Sequence, residues 1–410
     1  MIYWGLLLHF YQPPTQVHSV LRQVTEECYR PVLDVLRQHP HARVTVNING
    51  VLTESLWEHG FRDILDGLRE LGTKGQIEFT GSAKHHAILP LIPDAEMRRQ
   101  IQLNHVTNRH FLGDAYRPLG FFPPELCYGP GLVAPLIEPR YSWVLASGVA
   151  CPVDWPTQVV HEIRQGFDHL AVLFRDDVLS DKISFRKLDG RGFVEHLRSM
   201  AQYNGGAYVV TAMDAETFGH HHKGWERLFL GEAYSALADR LAQDEAPVVR
   251  SATLSEIVDS FPRGVPVEPH PSSWSTSRDD LAAQVPYPLW KAPYNDIHRL
   301  QWEHTDICIQ LVKRAEGLAS DATSKRFAAL ARGFLDPALH SCQFWWASKR
   351  AGWDINMVHR GLLEQEEVIL NACKAIECSS GAESVRREAY YLVAASRDLR
   401  AQITDRLVHA

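Results

Sequence analysis

Positive charge is in short supply. The 410 residues carry 42 Lys and Arg against 49 Asp and Glu, a formal net charge of −7. That balance argues against nucleic acid as the main partner. No apolar run approaches the roughly 20 residues that a bilayer-spanning helix needs, so no membrane partner is expected. Met1–Pro14 holds a short apolar stretch without a basic leader or a small-residue cleavage site, which predicts a cytoplasmic protein. The seven cysteines are scattered and contain no CxxC pair, which speaks against a disulfide framework or a structural zinc site. No GxGxxG follows the first apolar run, which speaks against a dinucleotide cofactor. Internal repeats and low-complexity tracts are also missing.

What is present is ordinary globular composition, 45% hydrophobic and 22% charged. Eleven Trp and 21 His are both high for this length. Aromatic faces suit stacking on sugar rings, although a large core also uses them. In the first two-thirds, short apolar runs alternate with longer amphipathic stretches. Candidate strands are Tyr3–His9, Arg43–Asn47, Gln76–Thr80, Leu119–Phe122, Trp143–Ser147, Leu170–Phe174 and Ala207–Ala212. Candidate helices include Ser19–Gln38, Leu52–Leu71 and Asp94–Leu112. Strand and helix alternating about seven times implies parallel pairing, and a barrel with its chemistry at the C-terminal strand ends fits best. Phe261–Pro293 carries seven prolines and reads as a connection without regular structure. Beyond Asn295 proline nearly vanishes and apolar residues recur at helical spacing, as at Val358, Leu362, Ile369, Cys373 and Ile376. The expected organisation is a catalytic barrel over 1–260, a proline-rich connection over 261–294 and a helical domain over 295–410.

The candidate chemistry lies where apolar strands run into polar residues. The first strand ends in His9 and, three residues on, Gln12, well placed to hydrogen-bond a ligand at a barrel mouth. The third is followed by Lys84-His85-His86, histidines that could bind a metal or a hydroxyl-rich ligand but that, taken alone, suit a solvated loop. The fourth runs into Pro123-Pro124-Glu125, where two prolines lock the backbone and fix the direction of a carboxylate among aromatics. In Ala212-Met213-Asp214-Ala215-Glu216-Thr217-Phe218-Gly219-His220 a buried strand ends on an acid whose desolvation would keep it protonated. Two carboxylates on different strands suggest glycosidic cleavage. One would attack the anomeric carbon and the other would protonate the leaving oxygen; a separation of roughly 5–5.5 Å would mean retention of configuration.

These motifs together resemble glycoside hydrolase family 57, the family of α-glucan-active amylases, glucanotransferases and branching enzymes. His9-Phe10-Tyr11-Gln12-Pro13 resembles the first family motif, usually His-x-His-Gln-Pro, with Tyr11 in place of the second histidine. Gly75-Gln76-Ile77-Glu78 is similar to the second and Pro123-Pro124-Glu125 to the third. Asp214-Ala215-Glu216-Thr217-Phe218-Gly219 is similar to the fourth, and Ser341–Trp346 is a weak echo of the fifth. The resemblance implies an incomplete (β/α)7 barrel followed by a C-terminal α-helical domain. It also implies a retaining mechanism with Glu125 as nucleophile and Asp214 as general acid/base, no cofactor and no required metal. His9, Gln12, His86, Glu216, His220, Trp274, Trp345 and Trp346 become candidates for binding an α-glucan oligosaccharide or polysaccharide, with Trp353 a further stacking candidate. Two alternatives stay open at this point: a metal-dependent polysaccharide hydrolase or deacetylase using His9, His86, Asp214 and His220, and a non-catalytic carbohydrate-binding barrel.

Overall fold

The computed structural model describes residues 1–155, 157–203, 206–241, 248–380 and 383–409. They divide into two compact units. One comprises Met1–Lys84 and Leu89–Trp274, the other His85–Ile88 and Ser275–Ala410, of which Ala410 lies outside the described residues.

The first unit is the barrel. All seven expected strands are present: β1 (Ile2–Phe10), β2 (Val44–Ile48), β3 (Ile77–Phe79), β4 (Gly120–Phe121), β5 (Trp143–Ala146), β7 (Asp168–Phe174) and β8 (Ala207–Asp214). Three more were missed: β6 (Val160–Gln165), β9 (Val249–Ala252) and β10 (Arg263–Pro266). The strands form two five-stranded sheets, β3-β2-β1-β8 with β9 beside β1, and β10-β6-β7-β5-β4. Two local links join them. Gly81, just past β3, bridges Phe121 in parallel, and the Asp176 amide donates to the Val210 carbonyl at 2.7 Å, tying the end of β7 to β8. Seven mutually parallel strands thus follow one another around a ring, β1-β2-β3-β4-β5-β7-β8.

The pleat sorts β1 onto two cores. Trp4, Leu6, Leu8 and Phe10 face the surrounding helices. Leu7 turns inward to join Val210, Ala212, Leu145 and Leu173 inside the barrel. His9, at the same parity as Leu7, therefore points inward near the C-terminal rim. A Cβ on Gly5 would lie 2.6 Å from Leu254, so the helix Leu254–Ser260 plugs the base of the ring. Glu78, from the second motif, belongs to this plug. Its carboxylate accepts from the Ser255 hydroxyl and amide and from Thr45, which makes it a structural tie.

Three expectations are corrected. Leu52–Leu71 is two helices, Gly50–Glu58 and Arg62–Thr73, because Gly60 turns left-handed at φ +84°. The parallel rule has an exception in β6–β7, an antiparallel hairpin turning at Gly166. Phe261–Pro293 is not devoid of regular structure, since it contains β10 and the helix Arg278–Ala282; the latter is nucleated by a capping box between Ser277 and Asp280 despite the flanking prolines.

The second unit is helical. Asp296–Leu318, Ala322–Ala338, Ile355–Cys378 and Glu383–His409 are its four long helices, and Cys342–Trp345 is a short one. Its core contains a buried amide network. Gln301 and Gln365 both reach Gln343, and Gln365 also donates to Thr305 and accepts from His304.

Candidate functional site

Register brings the first site residues together. His9 pairs in β1 with Asp214 of β8 on one side and Asn47 of β2 on the other, so three polar side chains stand at one level of the barrel's C-terminal rim. Asn47 donates to Thr80 at 3.0 Å, leaving its carbonyl oxygen to accept from His9 Nδ1 at 2.7 Å. That bond fixes the tautomer and leaves the lone pair on Nε2. Burial lowers the His9 pKa to about 4, so the ring is neutral at ordinary pH. It stacks on Phe122, with centroids 4.8 Å apart.

Glu125 occupies the turn after β4. It holds φ +59° and ψ +19°, a left-handed conformation that costs a non-glycine residue energy and that clusters at functional sites. Trp274 holds it twice. The Trp274 amide donates to the Glu125 carbonyl at 3.1 Å, and the indole N–H donates to the carboxylate at 2.8 Å. A paired bridge between Tyr128 and Ser272 lays the 272–274 segment along the turn. Trp274 is thus a hydrogen-bond donor to the carboxylate, its ring packed edge to face with His9 and Phe122.

Three carboxyls influence one another here. Burial, reinforced by the charge of Asp214, pushes Glu125 up to about 8, against the opposing bond from Trp274. Burial raises Asp214 to about 6, with Arg175 pulling the other way. Burial and Asp214 raise Glu216 to about 8. Glu216 lies on the turn after β8 and accepts from the Tyr29 hydroxyl and from Gln12 Nε2 at 3.0 Å. The Glu125–Asp214 pair therefore keeps one proton between the two steps, and that proton belongs to the pair.

The other candidates are placed differently. His220 donates Nδ1–H to Glu27 at 2.7 Å. His86 belongs to the helical unit, fully buried, with Nδ1 2.7 Å from the Ser341 hydroxyl; His85 is buried as well, so the solvated loop expected there is corrected. Trp345 and Trp346 are half-buried in the helical unit and pack edge to face, with centroids 4.6 Å apart. Trp353 lies in that unit under the Lys349 ammonium. Among the described residues no group of three or more His, Cys, Asp or Glu is arranged to hold a metal ion, and none of the seven cysteines is in a disulfide. Asn47, Tyr29 and Arg175 were not singled out from the sequence. Asn47 and Arg175 carried the same signal as Asp214, a polar residue closing an apolar strand. Tyr29 carried none, because it reaches Glu216 from a π-helical turn, Thr25–Tyr29.

A parallel barrel with interacting carboxyls at its C-terminal rim has the layout of a barrel enzyme. Comparison with known proteins supplies the family: the Glycosyl hydrolase family 57 profile matches residues 8–267, and the chain belongs to that family. An α-amylase of Pyrococcus abyssi is 28% identical over 294 residues, covering 68% of this chain and 42% of that protein. A 4-alpha-glucanotransferase of Thermococcus litoralis is 26% identical over 299 residues, with the same coverages. The chain thus spans less than half the length of these curated relatives. The fold extends further. The crystal structure of a GH57-type branching enzyme from Pyrococcus horikoshii superposes with a TM-score of 0.67 at 14% identity, covering 95% of this chain and 94% of that one.

Proposed function

We propose that this chain is a retaining α-glucan-active enzyme, a hydrolase or transglycosylase acting most readily on α-1,4 bonds. Glu125 is the nucleophile and Asp214 the general acid/base. The observation that carries this reading is the carboxyl pair at the barrel rim, desolvated and coupled so that it retains one proton near neutrality, in a chain of family 57. The names of the relatives, α-amylase and 4-alpha-glucanotransferase, support the substrate class.

In the first step a Glu125 oxygen bonds to the anomeric carbon while the glycosidic bond breaks, and Asp214 gives its proton to the departing oxygen. Positive charge developing on the sugar favours ionised Glu125, and the Trp274 N–H stabilises that anion. In the second step Asp214 takes a proton from water or from an acceptor hydroxyl, whose oxygen displaces Glu125. Water gives hydrolysis and sugar gives transfer. Neutral His9, Gln12 and Glu216 supply hydrogen bonds to the sugar hydroxyls.

Incubation with maltooligosaccharides of defined length, with product sizing, tests the reading. Shorter products alone mean hydrolysis, and longer ones beside them mean transfer. Glu125→Gln should lower turnover by about a thousandfold or more while leaving the fold intact. Full activity in that variant, or an inverted product anomer by NMR, removes the assignment. Activity should also persist after exhaustive chelation; its loss would favour the metal-dependent alternative.

A further inference from the structure

Arg175 follows β7 directly and is only 4% exposed, a position a guanidinium occupies only when well paired. Its Nε donates to the carbonyl of Ala212, two residues before Asp214 on β8, at 2.8 Å. The two terminal nitrogens donate to Asp177 at 2.8 Å and Asp181 at 3.0 Å. The guanidinium also lies over the Trp274 ring, 5.9 Å from its centroid, and Trp274 is the residue that holds Glu125. One buried cation thus touches the strand that ends in Asp214 and the ring bonded to Glu125.

We propose that Arg175 is the positioning residue of the carboxyl pair, anchoring the end of β8 and the Trp274 ring and supplying the buried positive charge that faces Asp214. The proposal rests on the glucan-cleaving reading above and assigns Arg175 a role in it. Asp214 faces neutral His9, Glu125, Glu216 and Cys28 as well as Arg175, and Arg175 in turn faces Asp176, Asp177 and Asp181. Apart from Arg175, the charges around Asp214 are negative, and burial acts in the same direction. A group that must first give a proton and then take one works best with its pKa near ambient pH. Without the cation, Asp214 would hold its proton more tightly. Solvent would then reprotonate it after the first step, before it could activate the acceptor.

The test reads Asp214 directly. Selective 13C labelling of aspartate carboxyls, with Asp214→Asn to assign the resonance, gives its ionisation midpoint without turnover. Arg175→Met should move that midpoint up by about one pH unit, tenfold in the ionisation constant. Arg175→Lys, which keeps the charge and loses the fork, should leave it near the parent value and lower kcat instead. Asp181→Asn should move it down, because Arg175 loses a compensating anion. The Asp181 side chain is 58% exposed, so this variant keeps the test alive if Arg175→Met does not fold. The basic limb of kcat/KM on maltooligosaccharides, set by the proton that Asp214 must donate, should shift in the same order. A midpoint unmoved in both Arg175→Met and Asp181→Asn overturns the proposal, whatever happens to activity or Tm. Shifted midpoints in a protein that never cleaves maltooligosaccharides would uphold Arg175 as the charge partner of Asp214 and refute the glucan reading. Cleavage with unmoved midpoints would do the opposite.

Discussion

Glu125 and Glu216 are carboxyls that folding makes harder to ionise, and this has a measurable signature. Both rise from 4.5 to about 8, with burial the first cause. Between those values the folded chain binds more protons than the unfolded one, so each group makes stability fall as pH rises through that window. Glu125→Gln removes one such group. Its gain in stability over the parent should be absent below pH 4.5 and reach about 1 kcal/mol or more at pH 8, read as a Tm difference between the two pH values. An equal difference at both would show that Glu125 ionises as freely folded as unfolded. The same shifts predict a bell-shaped kcat/KM with limbs near 6 and 8 that belong to the pair: activity falls at low pH as Glu125 loses its ionised form, and at high pH as Asp214 loses the proton it must donate. Asn47→Leu would leave His9 Nδ1–H without its acceptor, and should cost about 1–3 kcal/mol in denaturant unfolding. The carboxyls were legible in the sequence because each ends a run of apolar residues. The way they are tuned was not, because Trp274 reaches Glu125 across 149 residues of chain and Arg175 reaches the Ala212 carbonyl, on the strand that ends in Asp214, across 37.

At the scale of elements, the seven ring strands were legible as apolar, β-branched and aromatic runs. The missed ones lack that signature. β6 reads Val-His-Glu-Ile-Arg-Gln, too polar to stand out, and its pairing is fixed by the left-handed turn at Gly166. β9 reads Val-Arg-Ser-Ala and is drawn into the sheet by β1. Ring continuity is thinnest at β4, two residues long, where Gly120 admits the Trp143 ring. A Cβ there would sit 1.9 Å from the indole. Gly120→Ala should therefore cost roughly 3 kcal/mol and lower activity, because the next turn carries Glu125. Thermal melting of the variant beside the parent checks this, and an unchanged Tm would mean the ring opens there without penalty.

At the scale of the whole molecule, the helical third was legible from the loss of proline and the return of helical spacing. The fate of the fifth-motif echo was not. Gln343, at its centre, is the hub of the buried amide network, tied to Gln301 and Gln365 by contacts of 3.0 and 3.3 Å. Gln343→Leu keeps the backbone carbonyl that Gln301 reaches but removes the side-chain bonds to the Ala338 carbonyl and to Gln365, and should destabilise by about 1–3 kcal/mol in denaturant unfolding. The burial of the double histidine is illegible in the sequence for a related reason: what covers it comes some 250 residues later. Ala87 bridges His340, and His86 bonds Ser341.

Because His85–Ile88 completes the helical unit from far upstream, that unit is not a detachable tail. Severing the polypeptide after Trp274 would leave the downstream fragment with an unfilled slot facing His340 and Ser341. Anyone wishing to graft these helices onto another scaffold would have to supply four residues borrowed from the middle of a barrel.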